Sequence, residues 1–391
     1  MHSNCINKLL NLKEVKVKKI VHNEKSIHIF IETLPKNHIC PSCGASTKKI
    51  HDYRQQKIKD LPFQFKHAIL YLNKRRYACS CGKRFYESYD FLPRYHRMTS
   101  RLTHYICKEL TKLVTMTSVA DSCNVSITTV ARIFNYINYD RPSIPKVLCI
   151  DEFKGNAETG KYQCILVDGK KNKILDILPN RSQNELISYF KKIPRKERHS
   201  VKFFVSDMWK PYVELARIYF PNAKIIIDKY HFVRQVTWAI ENVRKRLQKT
   251  MPYELRKYYK RSRKLILTRY HKLKDDNKKA VDLMLLYNDD LRLAHRLKEW
   301  FYGICQNDKY SYQRVSFYNW IKNAEQSGIP EFMKCAATYR NWSKEILNAF
   351  KYGYTNGPTE GFNNKIKVLK RTSFGLRNFN RFRNRIIHCS N

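Results

Sequence analysis

Val147-Leu148-Cys149-Ile150-Asp151 and, further on, Phe203-Phe204-Val205-Ser206-Asp207 decide how the long C-terminal part of this chain folds. Each is a short, mostly apolar run ended by an aspartate. Each such run reads as a strand. Outward from these two, strands are expected at 147–150, 162–167, 173–178, 201–205 and 223–227, and helices at 183–192, 211–220 and 231–249. Three consecutive strands followed by helix-strand-helix-strand-helix make a mixed sheet flanked by helices, an α/β fold. From about 250 to 350 the pattern turns helical, basic and aromatic, which reads as a helical insertion.

This element order resembles the ribonuclease-H-like fold, in which the ends of the first and fourth strands lie side by side. The resemblance implies that Asp151 and Asp207 are neighbours there. Glu360 opens a helical segment after the turn Asn356-Gly357-Pro358, where exposed N–H groups favour an ionised carboxylate. Three carboxylates at one point repel unless a cation lies among them, and hard oxygen ligands suit Mg²⁺ or Mn²⁺. Asp151, Asp207 and Glu360 are therefore the candidate catalytic and metal-binding residues. Glu152 is expected on the opposite face of its strand, Asp168 in a turn, and Asp228 as a possible helix cap. His231 is a candidate for holding a phosphate or orienting a nucleophile; a packing and capping role is the alternative. Asn364, Lys367 and Arg371 follow Glu360 at helical spacing and are candidate phosphate contacts. Phe374, Leu376, Phe379 and Phe382, interleaved with Arg377, Arg381, Arg383 and Arg385, read as a folded basic segment suited to a DNA groove.

The chain has 391 residues and a formal net charge of +43. So large an excess destabilises a compact state unless a polyanion neutralises it, and double-stranded DNA is the obvious one. No run approaches a membrane span, and Met1 to Leu12 carries Lys and Asn in place of a signal sequence, which points to a cytoplasmic, nucleoid-associated protein. Of the twelve cysteines, Cys40-Pro41-Ser42-Cys43-Gly44 and Cys79-Ser80-Cys81-Gly82 form two close pairs, each at a turn ended by glycine. That is how a zinc knuckle presents thiolates, so Cys40, Cys43, Cys79 and Cys81 are candidate Zn²⁺ ligands. Between them Lys74-Arg75-Arg76 reads as a phosphate-binding edge. Two helices turning at Asn124, the second capped by Ser126, make a helix-turn-helix that offers Thr128, Thr129 and Arg132 to a major groove.

Ile150-Asp151-Glu152-Phe153, Ser206-Asp207-Met208, Asp228-Lys229-Tyr230-His231-Phe232 and Asn356-Gly357-Pro358-Thr359-Glu360-Gly361-Phe362-Asn363-Asn364-Lys365-Ile366-Lys367 together resemble the ISL-three family of insertion-sequence transposases. The last motif is the most specific. The resemblance covers nearly the whole chain and implies a zinc-binding domain at 1–93, a helix-turn-helix at 94–141 and a DDE catalytic domain at 146–391. It implies Asp151, Asp207 and Glu360 as the catalytic triad. The expected activity is binding of terminal inverted repeats, then DNA cleavage and strand transfer by two metal ions, in a homodimer. Two other readings are a non-catalytic zinc and helix-turn-helix regulator, and a nuclease without strand transfer.

Overall fold

A computed structural model of the chain describes residues 10–155, 159–373 and 376–390. It folds as two compact units, one of Met1–Asp140 with Lys365–Asn391, the other of Arg141–Asn364. These divide the chain otherwise than three consecutive segments ending in 146–391: residues from Lys365 on belong with the first unit. Phe374 and Gly375 lie outside the described residues.

In the first unit, β1 (Val15–His22), β2 (Ser26–Thr33), β5 (Ile50–Phe63), β6 (Lys66–Ala78) and β7 (Arg84–Tyr86) form one sheet, with β3 (His38–Ile39) and β4 (Ser46–Thr47) paired beside it. β2 alternates between half-buried and buried positions, so this sheet buries a single face. That face gathers Val15, Val17, Ile27, Ile29, Ile31, Ile58, Leu70 and Leu72. The long β5–β6 hairpin is absent from the sequence reading, because Lys, Arg, Asp and Gln interrupt its alternation.

Helices α1 (Ser100–Glu109), α2 (Met116–Ser122) and α3 (Ile127–Phe134) follow. Thr99, Thr115 and Ser126 cap them through their side chains. Asn124, at φ 52°, makes the left-handed turn between α2 and α3, a conformation that asparagine tolerates better than most residues. Leu102, Ile106, Leu110, Val119, Ala120, Val130 and Phe134 form the shared core.

The second unit is built on β8 (Val147–Lys154), β9 (Tyr162–Asp168), β10 (Lys173–Leu178), β11 (Phe203–Ser206) and β12 (Lys224–Ile227), in the order β10-β9-β8-β11-β12. β9 and β10 run antiparallel, and β8, β11 and β12 run parallel. The stretches 147–150, 163–167, 174–178, 204–206 and 225–227 are buried throughout, as strands covered on both faces require. Helices α4 (Gln183–Lys191), α5 (Arg195–His199), α6 (Lys210–Tyr219) and α7 (Lys229–Thr250) connect and follow these strands. The helical insertion comprises α8 (Tyr253–Arg261), α9 (Arg263–Leu267), α10 (Asp275–Leu286), α11 (Asp289–Gln306), α12 (Tyr310–Glu325), α13 (Pro330–Asn341) and α14 (Ser343–Tyr352). Trp320, Phe317, Phe301 and Tyr339 pack at its centre, and the Trp320 indole donates to the Leu297 carbonyl at 2.8 Å. α15 (Gly357–Thr372) carries Glu360, and α16 (Phe379–Ser390) closes the chain. Among the described residues no helix is long and apolar enough to cross a membrane.

Candidate functional site

β8 runs four residues beyond the expected end at Ile150, so Asp151 stands inside the strand and not at its tip. Its parallel pairing with β11 matches Cys149 to Val205, and that of β11 with β12 matches Ser206 to Ile227. Continued by one or two residues, the same register sets Asp151, Asp207 and Asp228 abreast. Neighbouring strands lie about 4.8 Å apart, and register partners face the same side. The sheet therefore brings together two aspartates that are far apart in the sequence.

Asp228 has both oxygens engaged. One accepts from the Tyr230 N–H at 3.1 Å and caps α7, and the other accepts from the Asn356 N–H at 2.8 Å. Asn356, also buried, donates its side-chain amide to the Ile150 carbonyl at 3.0 Å. The chain is thus pinned to the middle of β8 and to the end of β12 just before α15 begins. Glu360 lies exposed in the first turn of that helix. Three residues on, about 4.5 Å along the axis, Asn363 donates to Asp151 Oδ2 at 3.0 Å. The Asp151 Oδ1 accepts from the Glu152 N–H at 2.8 Å.

Burial pushes the Asp151 carboxyl up to about 7, partly offset by the Glu152 N–H and reinforced by the charge of Asp207. Burial also raises Asp207, while the charge of His231 pulls it down. The Asp207 Oδ1 is buried without a hydrogen-bond partner. A buried carboxylate oxygen left in that state fits a cation. Among the described residues, though, Asp151, Asp207 and Glu360 are not gathered with their oxygens within 4.8 Å of one another. Glu152 is paired with Arg181 at 2.6 and 2.7 Å. Asp168 accepts from the N–H groups of Lys170 and Lys171 and makes the expected turn. His231 is half-buried at the start of α7.

Residues 148–386, more than half of the chain, match the ISL3 DDE transposase family, described as a transposase. The chain belongs to the ISL3 transposase family. Residues 36–81 match the zinc finger of the transposases IS204/IS1001/IS1096/IS1165, and residues 87–138 match the helix-turn-helix domain of transposase family ISL3. The transposase for insertion sequence element IS1001 of Bordetella parapertussis is 27% identical over 90% of this chain and 89% of its own length. A protein of Lactococcus lactis subsp. lactis named ATP-dependent protease is 32% identical over 27% of this chain and 33% of its own length. So partial a match carries no activity across.

The zinc knuckles of this ISL3 transposase do converge. The sulfurs of Cys40, Cys43, Cys79 and Cys81 lie within 4.8 Å of one another, with Cys40–Cys81 at 3.7 Å and Cys43–Cys79 at 3.5 Å. A tetrahedron of thiolates at about 2.3 Å from zinc has edges of about 3.8 Å, so the donor set fits structural Zn²⁺. Gly44 and Gly82, at φ 73° and 83°, close the two turns in the left-handed region. The Cys81 N–H holds the Cys79 thiol down at about 6, against the opposing effect of burial.

The reading surfaces divide. Thr128 and Arg132 are exposed on α3, and Thr129 is tied to the Ser126 cap at 2.9 Å. Asn364, Lys367 and Arg371 are exposed along α15. Arg75 is not part of a phosphate-binding edge. It is buried, donates to the Thr33 hydroxyl and carbonyl at 3.0 and 2.6 Å, and lies 3.6 Å from Glu87. Lys74 sits 5.0 Å above the Tyr86 ring and Arg76 lies 3.6 Å from Asp52, both half-buried. Arg385 likewise leaves the basic surface: it is buried and donates to the carbonyls of Lys112 and Val114.

Asn363 was legible only as part of a motif. Helical spacing from Glu360 favours Asn363 and Asn364 equally, and only packing separates them.

Proposed function

We propose that this chain is the transposase of an insertion sequence. On this reading it recognises the element's terminal inverted repeats through the zinc-bearing and helix-turn-helix unit, then cuts the ends and joins them to target DNA. The observation that carries the reading is Asp151 within β8 and Asp207 directly after the parallel neighbour β11, with one Asp207 oxygen buried and unpartnered. In the order β10-β9-β8-β11-β12 the first strand, β8, lies beside the fourth, β11, as expected of a ribonuclease-H-like sheet.

Asp151, Asp207 and Glu360 would hold divalent ions, Mg²⁺ or Mn²⁺. When bound, these ions supply the acidity that makes water or a 3′-hydroxyl nucleophilic and that steadies the leaving oxygen. Asn363 fixes the carboxylate plane of Asp151. His231, near Asp207, orients the nucleophile or a phosphate. Asn364, Lys367 and Arg371 steady the DNA backbone along α15, and Thr128, Thr129 and Arg132 enter the major groove. A structural Zn²⁺ on the four cysteines keeps the knuckles closed. Holding two ends together calls for a homodimer, acting in the bacterial cytoplasm on nucleoid DNA.

The deciding experiment supplies duplexes carrying the element's ends, a target duplex and Mg²⁺. Joined product is expected. Cutting without joining would make the protein a nuclease, and binding alone would make it a regulator. With Asp151→Ala, Asp207→Ala or Glu360→Ala, end binding is expected to persist while cleavage disappears. Undiminished cleavage by any of the three would remove that residue from the centre.

A further inference from the structure

We propose that the cleft between Tyr162, Arg181 and Trp209 takes up an unpaired nucleobase of the DNA end, drawn out of the duplex beside the cleavage point. The proposal rests on the reading of Asp151, Asp207 and Glu360 as a DNA-cutting centre. The cleft has a volume of about 600 Å³ and is walled by the start of β9, the turn into α4 and the start of α6. That volume lies within the range of small-ligand pockets, about 300–1,000 Å³. One chain link and one ion pair tie it to the carboxylates. Trp209 is two residues after Asp207, and Arg181 grips Glu152, the neighbour of Asp151.

The walls suit a flat group: beside Tyr162 and Trp209, the lining Lys161 ammonium lies over the Tyr162 ring at 5.4 Å. The Arg181 guanidinium is already paired with Glu152 at 2.6 and 2.7 Å, so much of its charge is spent. Its guanidinium lies over the Tyr162 ring, 4.8 Å from the centroid, and over the Trp209 ring at 5.2 Å, so the three flat groups form one stack that a base can extend. Tyr162 remains 37% exposed, an aromatic surface left open at the cleft. Rings and guanidinium planes of this kind stack any base, since every base has a π-face. Asn180 and Gln183 add amide groups that can meet a base edge. Enzymes that do chemistry on a base take it out of the stack into such a pocket, and stacking there offsets the cost of unstacking.

The test is a cycle between protein and DNA. Duplexes carrying the element's end, taken from the inverted repeats flanking its gene, receive one abasic nucleotide, moved a position at a time across the cleavage junction. Binding is measured without metal, and cleavage with Mg²⁺. Tyr162→Ala is expected to weaken binding of the intact end by about five- to a hundredfold, the worth of one stacked base. At one position the abasic end should erase that difference. Trp209→Ala should resemble Tyr162→Ala, and Trp209→Phe, which keeps a ring, should recover part of the loss seen with Trp209→Ala. If wild-type protein cuts the ends but the effects of Tyr162→Ala and of base removal simply add at every position, the cleft proposal is overturned and the cutting centre stands. If wild-type protein neither cuts nor joins intact ends, the cutting centre itself is wrong and the cleft proposal falls with it.

Discussion

Asn363 shows how much at this site depends on one contact. Its amide holds Asp151 Oδ2 at 3.0 Å, and nothing else described holds that oxygen. Partners that orient a metal-binding side chain are commonly worth 10- to 100-fold in activity. Asn363→Ala should therefore slow end cleavage by about that factor with end binding unchanged, measured on labelled ends. Asp151 also makes a prediction about pH. Its folded-state pKa, raised from 3.8 to about 7, lies above the unfolded value. Between those values the folded protein keeps a proton that the unfolded chain has lost. Without added metal, stability should therefore fall as pH rises from about 4 to about 7, by at most ~1.4 kcal/mol per pH unit from this group, and then level off. Asp151→Asn should flatten that part of the Tm profile; an unchanged profile would show that the group does not titrate there.

At the scale of the element, basic residues that look alike in sequence part company. Arg132 is exposed on α3, whereas Arg385 reaches from α16 to carbonyls near the end of α1 and before α2. Arg385→Ala should cost about 1–3 kcal/mol, the price of stranding buried groups, seen as a lower Tm. Arg132→Ala should leave Tm in place and shift the slope of log affinity against log salt by about one. The knuckles give a third contrast. Cys79→Ser, or chelation of zinc, should loosen 36–81 and abolish end binding while the circular dichroism of the helices persists. Strands β8 to β12 and helices α4, α6 and α7 were legible because unbroken apolar runs and helical periodicity are local signals. The β5–β6 hairpin was not. Its long strands expose one edge or face to water, so charged residues interrupt any period.

For the whole molecule, the first unit is discontinuous in sequence. The chain leaves it at Asp140 and returns at Lys365. α16 completes the helix-turn-helix core: Asn384 donates to the Ile137 carbonyl at 2.9 Å and His388 meets the Cys107 carbonyl at 2.8 Å. A fragment ending at Asp140 should therefore melt well below the same fragment joined by a short linker to 365–391. Equal melting would show that α16 is dispensable there. What the sequence determined by itself was the identity of most elements, the two cysteine pairs, the capped reading helix and the charge of +43. Each of these is set by short-range sterics, periodicity or composition. Only tertiary structure decided that Asp207 lies abreast of Asp151, that Asn363 and not Asn364 touches it, and that Arg75 and Arg385 turn inward. Those outcomes depend on strand register and on which surfaces pack face to face, between residues up to 273 positions apart. No local pattern encodes a neighbour that distant.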